Sequence, residues 1–288
     1  DRIATMLSAP LATCSARLPV YVLLVGILVP AGSSLGPVSV RGLVLFGMYL
    51  LGALSAMLAA RVVKKITDRS GTLLPFYMEM PPYRIPTPRS VGMAMWEPTK
   101  AFLRKAGTII MGATIVIWAL TTFPLRSDAE MTAAGVDPSD EVAATAYNME
   151  HSAAAKVGKA IEPVFAPQGF DWRVNISLIG SMAAREVAVS TLGQVASASD
   201  PEDDVSVSES VQKWTYTDGP HQGEKVFTPD TTIAMLIFFA FALQCVATIG
   251  ILKRESGSWK WPAIAFGYMF VLAWVGSSLA AIITRVVM

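Results

Sequence analysis

Between Val40 and Val63 the chain reads VRGLVLFGMYLLGALSAMLAARVV, with Arg41 and Arg61 as its only charged residues. A helix crosses the hydrocarbon core of a bilayer with roughly 20 residues, and this run has that length. Lipid offers no partners to backbone N–H and C=O groups, so such a run is confined to a helix. Further runs extend from Ile3 to Pro30, Ala106 to Phe123, Val174 to Ser197, Thr231 to Leu252 and Trp261 to Ile283. Charged residues make up 16% of the chain, against roughly 25% in soluble domains. Mean hydropathy is +0.48. The expected fold is an all-α, polytopic helical membrane protein.

Two of these runs are interrupted. The first carries Cys14, Ser15 and Arg17 at membrane depth; the fourth carries Arg185 and Glu186 side by side in its middle. An ionised side chain near the bilayer centre costs about 2.5–3.5 kcal/mol on insertion scales. Such residues mark either a bracing contact or a functional path. The chain also has an internal echo. Aligning Ala16-Arg17 with Ala184-Arg185 sets CSARLPVYVLL over MAAREVAVSTL. Broken helices at matching positions are a pointer to a transporter's binding site and to an inverted repeat. Small residues also recur in membrane helices because they allow close packing.

Charge assigns the connectors. From Arg61 to Lys105 there are nine Lys/Arg and three acids, which places this stretch on the cytoplasmic side. Its MPPYRIPTP segment reads as extended, and Arg89–Lys105 as an amphipathic helix, either on the membrane surface or simply connecting. The connectors Leu125–Asp171 and Asp200–Asp230 are acidic and prefer the outside; KRESGSWK, Lys253–Lys260, is basic and prefers the inside. If both acidic connectors lie outside, Val174–Ser197 enters and leaves by one face. The alternative is a single crossing with KRESGSWK outside. The resulting division is 1–63, a first gate region and its following helix; 64–105, the basic connector; and 106–172, a span and exterior connector. It continues with 173–199, a second gate region; 200–230, an acidic connector; and 231–288, a terminal helix pair.

Net charge is +1, which gives no electrostatic case for nucleic acid. No phosphate loop, CxxC, HExxH or dinucleotide fingerprint is present, so the chain itself reads as no enzyme. The two cysteines, Cys14 and Cys245, form no disulfide framework and are either small buried hydrophobes or soft metal ligands. A set of Cys14, Ser15, Glu186 and Cys245 would suit a borderline divalent ion such as Fe(II). Arg17 and Arg185 read first as braces. The chain starts at Asp1 with no signal peptide ahead of the first span, and reads as a piece of a longer protein.

Four stretches together resemble the membrane part of the ferrous iron transport protein B family. They are APLATCSARLPVYVLLVGILVP, PFYMEMPPYRIPTPRSVGMAMWEPTKAFLRKAGTII, IEPVFAPQGFDWRVNISLIGSMAAREVAVSTLGQ and CVATIGILKRESGSWKW. They keep the family's order, and the likeness thins over Arg126–Asn148 and Asp200–Thr228. The resemblance implies a multi-pass importer of Fe(II) in the bacterial inner membrane, with Fe(II) as substrate and no resident cofactor. It implies gate regions around Cys14–Tyr21, including Pro19, and around Ala183–Thr191, with metal handling at Cys14 and Cys245. It implies partners: an amino-terminal GTP-binding domain absent from this chain, small cytoplasmic accessory proteins, and further copies in a homo-oligomer. Many relatives carry proline before the second cysteine; here Gln244 stands there, removing a built-in kink. The readings kept beside this one are a permease for an organic solute such as a nucleoside, and a non-transporting membrane scaffold.

Overall fold

A computed structural model describes residues 2–30, 32–67, 85–124, 127–137, 139, 141–182, 185, 187–199, 207–217 and 221–287. Among the described residues four stretches are long and apolar enough to cross a membrane: Ile3–Leu28, Val40–Ile66, Pro229–Ser256 and Lys260–Val287. The protein is a multi-pass helical membrane protein, as its apolar runs require.

The first span is two half-helices, α1 (Arg2–Ser8) and α2 (Leu18–Leu28), separated by two 3-10 turns and extended backbone at Ala12 and Cys14. Pro10 and Pro19 each open a turn or helix, where their missing N–H costs nothing. A two-stranded hairpin, β1 (Ser34–Leu35) with β2 (Val38–Ser39), turns the chain into α3 (Val40–Thr67). Arg41 at the start of α3 donates to Val29 O at 2.9 Å and so satisfies the end of α2.

The next helix, α4 (Pro88–Thr122), runs uninterrupted for 35 residues and is N-capped by Thr87. The surface helix expected at Arg89–Lys105 and the span expected at Ala106–Phe123 are therefore one element. Gly107 is the weakest helix former where they meet, and a lone glycine costs about 1 kcal/mol, too little to break a long helix. The MPPYRIPTP stretch lies largely outside the described residues. Three shorter helices follow: α5 (Asp128–Ala133), α6 (Glu141–Glu150) and α7 (Ala153–Phe165).

Then come α8 (Trp172–Ser181) and α9 (Val187–Ser199), with Arg185 between them. Ser177 Oγ donates to Ala188 O at 3.0 Å, so the two lie side by side and the chain doubles back. Beyond α10 (Val207–Gln212) the chain returns to where α8 began. Trp172 Nε1 donates to Thr217 Oγ1 at 3.2 Å, and the Arg173 guanidinium sits 4.7 Å from the Trp214 ring centre. The segment thus enters and leaves by one end of the bundle, the path expected if both acidic connectors lie on the same side.

The last span is again two pieces, α11 (Pro229–Phe241) and α12 (Val246–Ser256), followed by an unbroken α13 (Lys260–Val287). The sequence reads as a single helix over Thr231–Leu252, so the break at Ala242–Cys245 corrects that expectation. Its cause is tertiary and appears below.

Two apolar clusters define the ends. One gathers Leu7, Leu11, Leu252 and Ala265 with Val63 and Trp261, next to Lys64, Lys65, Lys253 and Lys260. The other holds α2, α8, α9 and α11 together with Trp214, Val226 and Phe227. At that second end Asp230 pairs with Arg285 at 2.6 Å. KRESGSWK and the lysines ending α3 therefore share one end, and Asp200–Asp230, where described, lies at the other. The echo between the interrupted segments is local. Each puts an arginine just before its second half-helix, but α1–α2 traverses the bundle while α8–α9 turns back.

Candidate functional site

The three interruptions meet. In the first, Pro10 and the extended Ala12 end the helical ladder and leave carbonyls without N–H partners. Arg17 folds back over them. Its Nη1 donates to Leu11 O at 3.0 Å and Ala12 O at 3.4 Å, and its Nη2 to Pro10 O at 3.2 Å. Arg17 is fully buried, while Cys14 and Ser15 remain exposed. Thr13 presses on α3 at Gly52, where any side chain would collide with it.

In the second, Arg185 is 4% exposed and reaches both other breaks. Its Nη2 donates to Ala242 O at 3.1 Å, and its Nη1 lies 3.8 Å from Cys14 Sγ. The backbone adds a further tie, from Val246 N to Met182 O at 3.1 Å. These contacts explain the third break. Ala242 and Cys245 are extended because the Ala242 carbonyl and the Val246 N–H bond to the re-entrant segment instead of to their own helix. No proline is needed, and Gln244 is buried there with its Oε1 unbonded.

An apolar cavity of about 260 Å³ adjoins the junction. Met182, Leu243 and Gln244 form its junction side; Leu178, Phe238 and Phe270 form much of the rest. Apart from Gln244 and the Met182 sulfur the lining is hydrocarbon and aromatic, so it offers a hydrated ion little to bind.

Cys14 and Ser15 lie on the first break and Cys245, partly buried, on the third, with Arg185 touching the first and bonded to the third. Pro19 sits in the first turn of α2. Arg17 and Arg185 brace carbonyls at helix breaks. Glu186 lies outside the described residues. Among the described residues no group of three or more His, Cys, Asp and Glu is placed to hold a metal ion. Sequence reasoning missed Thr13 and Tyr21, whose buried hydroxyls lie beside Arg17 without a well-formed hydrogen bond. Tyr21 stands four residues after Arg17, one helical turn, which was its available signal. The carbonyls of Ala242 and Met182 had no signal, since every residue carries one.

The family model described as Gate, nucleoside recognition, matches residues 103–259, more than half of the chain. A second, described as ferrous iron transport protein B C terminus, matches residues 45–97. Curated relatives match almost end to end. A Porphyromonas gingivalis protein, named an Fe(2+) transport protein A/Fe(2+) transporter FeoB fusion, is 39% identical over 97% of this chain and 34% of its own length. An Fe(2+) transporter FeoB of Leptospira interrogans is 38% identical over 95% of this chain and 38% of its own length. One from Helicobacter pylori is 32% identical over 99% and 44%. The chain thus spans between a third and a half of these relatives' length. No solved structure matches it. The chain therefore belongs to the Gate family and to the C-terminal portion of ferrous iron transport protein B.

Proposed function

We propose that this chain is the membrane core through which Fe(II) crosses the bacterial inner membrane, and that the junction of the three breaks lies on the path. One observation carries the reading: Arg185 touches Cys14 on the first break and bonds the third break three residues before Cys245. Thiolates favour borderline and soft ions over Mg(II) and Ca(II). Ser15 and Glu186 complete the ligand set we propose. The basic end faces the cytoplasm. The GTP-binding domain and the accessory chain belong to the longer protein; the Porphyromonas relative's name, a fusion with Fe(2+) transport protein A, supports a partner of that kind.

The test is uptake of radioactive Fe(II) into proteoliposomes by Cys14→Ser and Cys245→Ser variants of the full-length protein. Each change keeps size and replaces a soft ligand by a hard one. Each should lower Fe(II) uptake and narrow its preference over Mn(II). The double change should cost little more than the worse single one, because ligands of one site are not independent. Parental rate and selectivity in both single variants would remove the thiols from the path.

A second reading, a permease for an organic solute, draws on the Gate model's description as nucleoside recognition. The adjoining cavity is lined almost wholly by apolar groups, which suits a nucleoside's sugar poorly. Competition of Fe(II) uptake by a nucleoside would favour this reading.

A further inference from the structure

The junction holds more positive charge than its described neighbours offset. Arg17 is 0% and Arg185 4% exposed, and the two are near enough to act on each other. Neither is ion-paired to a carboxylate among the described residues. Arg17 shares its charge with three carbonyls, whereas Arg185 has one carbonyl and one sulfur. The Nε of each arginine faces no acceptor. A buried charge left uncompensated is strongly destabilising.

Apart from Gln244 Oε1, the unbonded buried side-chain atoms at the junction can donate: the Nε of Arg17 and Arg185 and the hydroxyls of Tyr21 and Thr13. Half-helix C-termini offer carbonyls to cations, and half-helix N-termini offer N–H groups to anions. The carbonyls are already taken: Pro10, Leu11 and Ala12 by Arg17, Ala242 by Arg185, and Met182 by the Val246 N–H. Three half-helices, α2, α9 and α12, start at the junction, and no side chain caps α2 or α12. Beside Arg17 lies the hydroxyl of Tyr21, itself 0% exposed, and beside Tyr21 that of Thr13, neither in a well-formed hydrogen bond.

We propose that the junction binds a small monovalent anion, of chloride size, between Arg17 and Arg185, with the Tyr21 and Thr13 hydroxyls as further donors. Both terminal nitrogens of each guanidinium already donate to a carbonyl or to sulfur, so the donors least committed are the two Nε–H groups and the two hydroxyls, which come from different directions. A spherical halide accepts from such diverging donors. Its charge offsets the two arginines and lets a divalent cation approach Cys14 and Cys245. That consequence rests on the iron reading; the binding of the anion does not.

The test uses bromide, a halide visible by anomalous scattering. The full-length protein is purified with gluconate as its only small anion, and bromide is titrated at constant ionic strength. The expected result is a saturable rise in Tm, with an anomalous peak in bromide-soaked crystals in contact with Arg17 and Arg185. Tyr21→Phe and Thr13→Val are mild changes that keep the arginines, and each should weaken bromide by roughly tenfold, as a lost hydrogen bond to a charged group does. Arg185→Gln should abolish the response, while Glu186→Gln should keep it. Equal Tm in gluconate and bromide, a peak elsewhere, or unchanged affinity in both hydroxyl variants would overturn the proposal. So would a bromide response that appears only in Glu186→Gln, since Glu186 would then be the counter-charge. Bromide binding needs no iron. An intact response in Cys14→Ser and Cys245→Ser variants would stand whatever their iron transport shows.

Discussion

Gly52→Ala should act on the first break from a neighbouring helix, and the structure fixes the sign of its effect. A methyl at Gly52 would lie 2.1 Å from Thr13 Oγ1, 3.2 Å from Thr13 Cβ and 3.1 Å from Thr13 N. The first distance is a collision, and the other two are tight. Replacing glycine by alanine inside a helix gains about 1 kcal/mol of propensity. Overpacking a fitted contact costs about 1–3 kcal/mol. The balance is a loss of up to about 2 kcal/mol. Thr13→Ala removes the oxygen, which is buried without a partner, so that change alone should cost little. In the Thr13→Ala background, Gly52→Ala keeps its propensity gain and meets only the two tight contacts, with the N and Cβ of residue 13, so it should come close to neutral. The coupling between the two changes is then up to about 2 kcal/mol, against the few tenths by which independent sites scatter. The assay is a double-mutant cycle of unfolding free energies in one detergent, with Fe(II) uptake measured beside it. Uptake should fall in Gly52→Ala, because Cys14 follows the displaced residue, and recover in the double variant. If Gly52→Ala is equally stabilising in both backgrounds, α3 does not press on the break and the packing argument fails.

Arg17→Ala should be among the most damaging single changes, because it strands the carbonyls of Pro10, Leu11 and Ala12, each worth about 1–3 kcal/mol when buried unbonded. Arg17→Lys, which keeps the charge, should retain part of the yield of monodisperse protein; equal yields for the two would refute the bracing role. With Cys14 and Cys245 removed, single cysteines at Ser90 and Ser258 should react with an impermeant reagent from the cytoplasmic side and one at Ser210 from the opposite side, and any other grouping would break the two-ended arrangement. Tyr216 Oη donates to Gly169 O at 2.6 Å, and burial pushes its pKa up to about 12. The unfolded tyrosine ionises near 10, so between about pH 10 and 12 the folded state holds a proton that the unfolded state has lost, and stability falls as pH rises. Tyr216→Phe should cost about 1 kcal/mol at neutral pH and reduce that alkaline slope, as read from Tm against pH.

The sequence alone determined the membrane helices and the polarity of their ends. Both follow from transfer free energies that depend on residue type and run length, such as Val40–Val63 against Lys64 and Lys65. It also marked two of the three breaks, because Arg17 and Arg185 are too costly in lipid to go unremarked. The re-entrant course of α8–α9 was legible only through the charge of its flanking connectors. Tertiary structure alone decided the third break. Phe241–Val246 is apolar but for Gln244 and contains no proline or glycine, so nothing local ends the helix there. The interruption exists because Ala242 O finds Arg185, 57 residues away, and Val246 N finds the carbonyl of Met182. The meeting of Cys14 with Arg185, across 171 residues, has the same origin. Backbone carbonyls are identical at every position, and which of them a guanidinium reaches is set by how the helices pack around it.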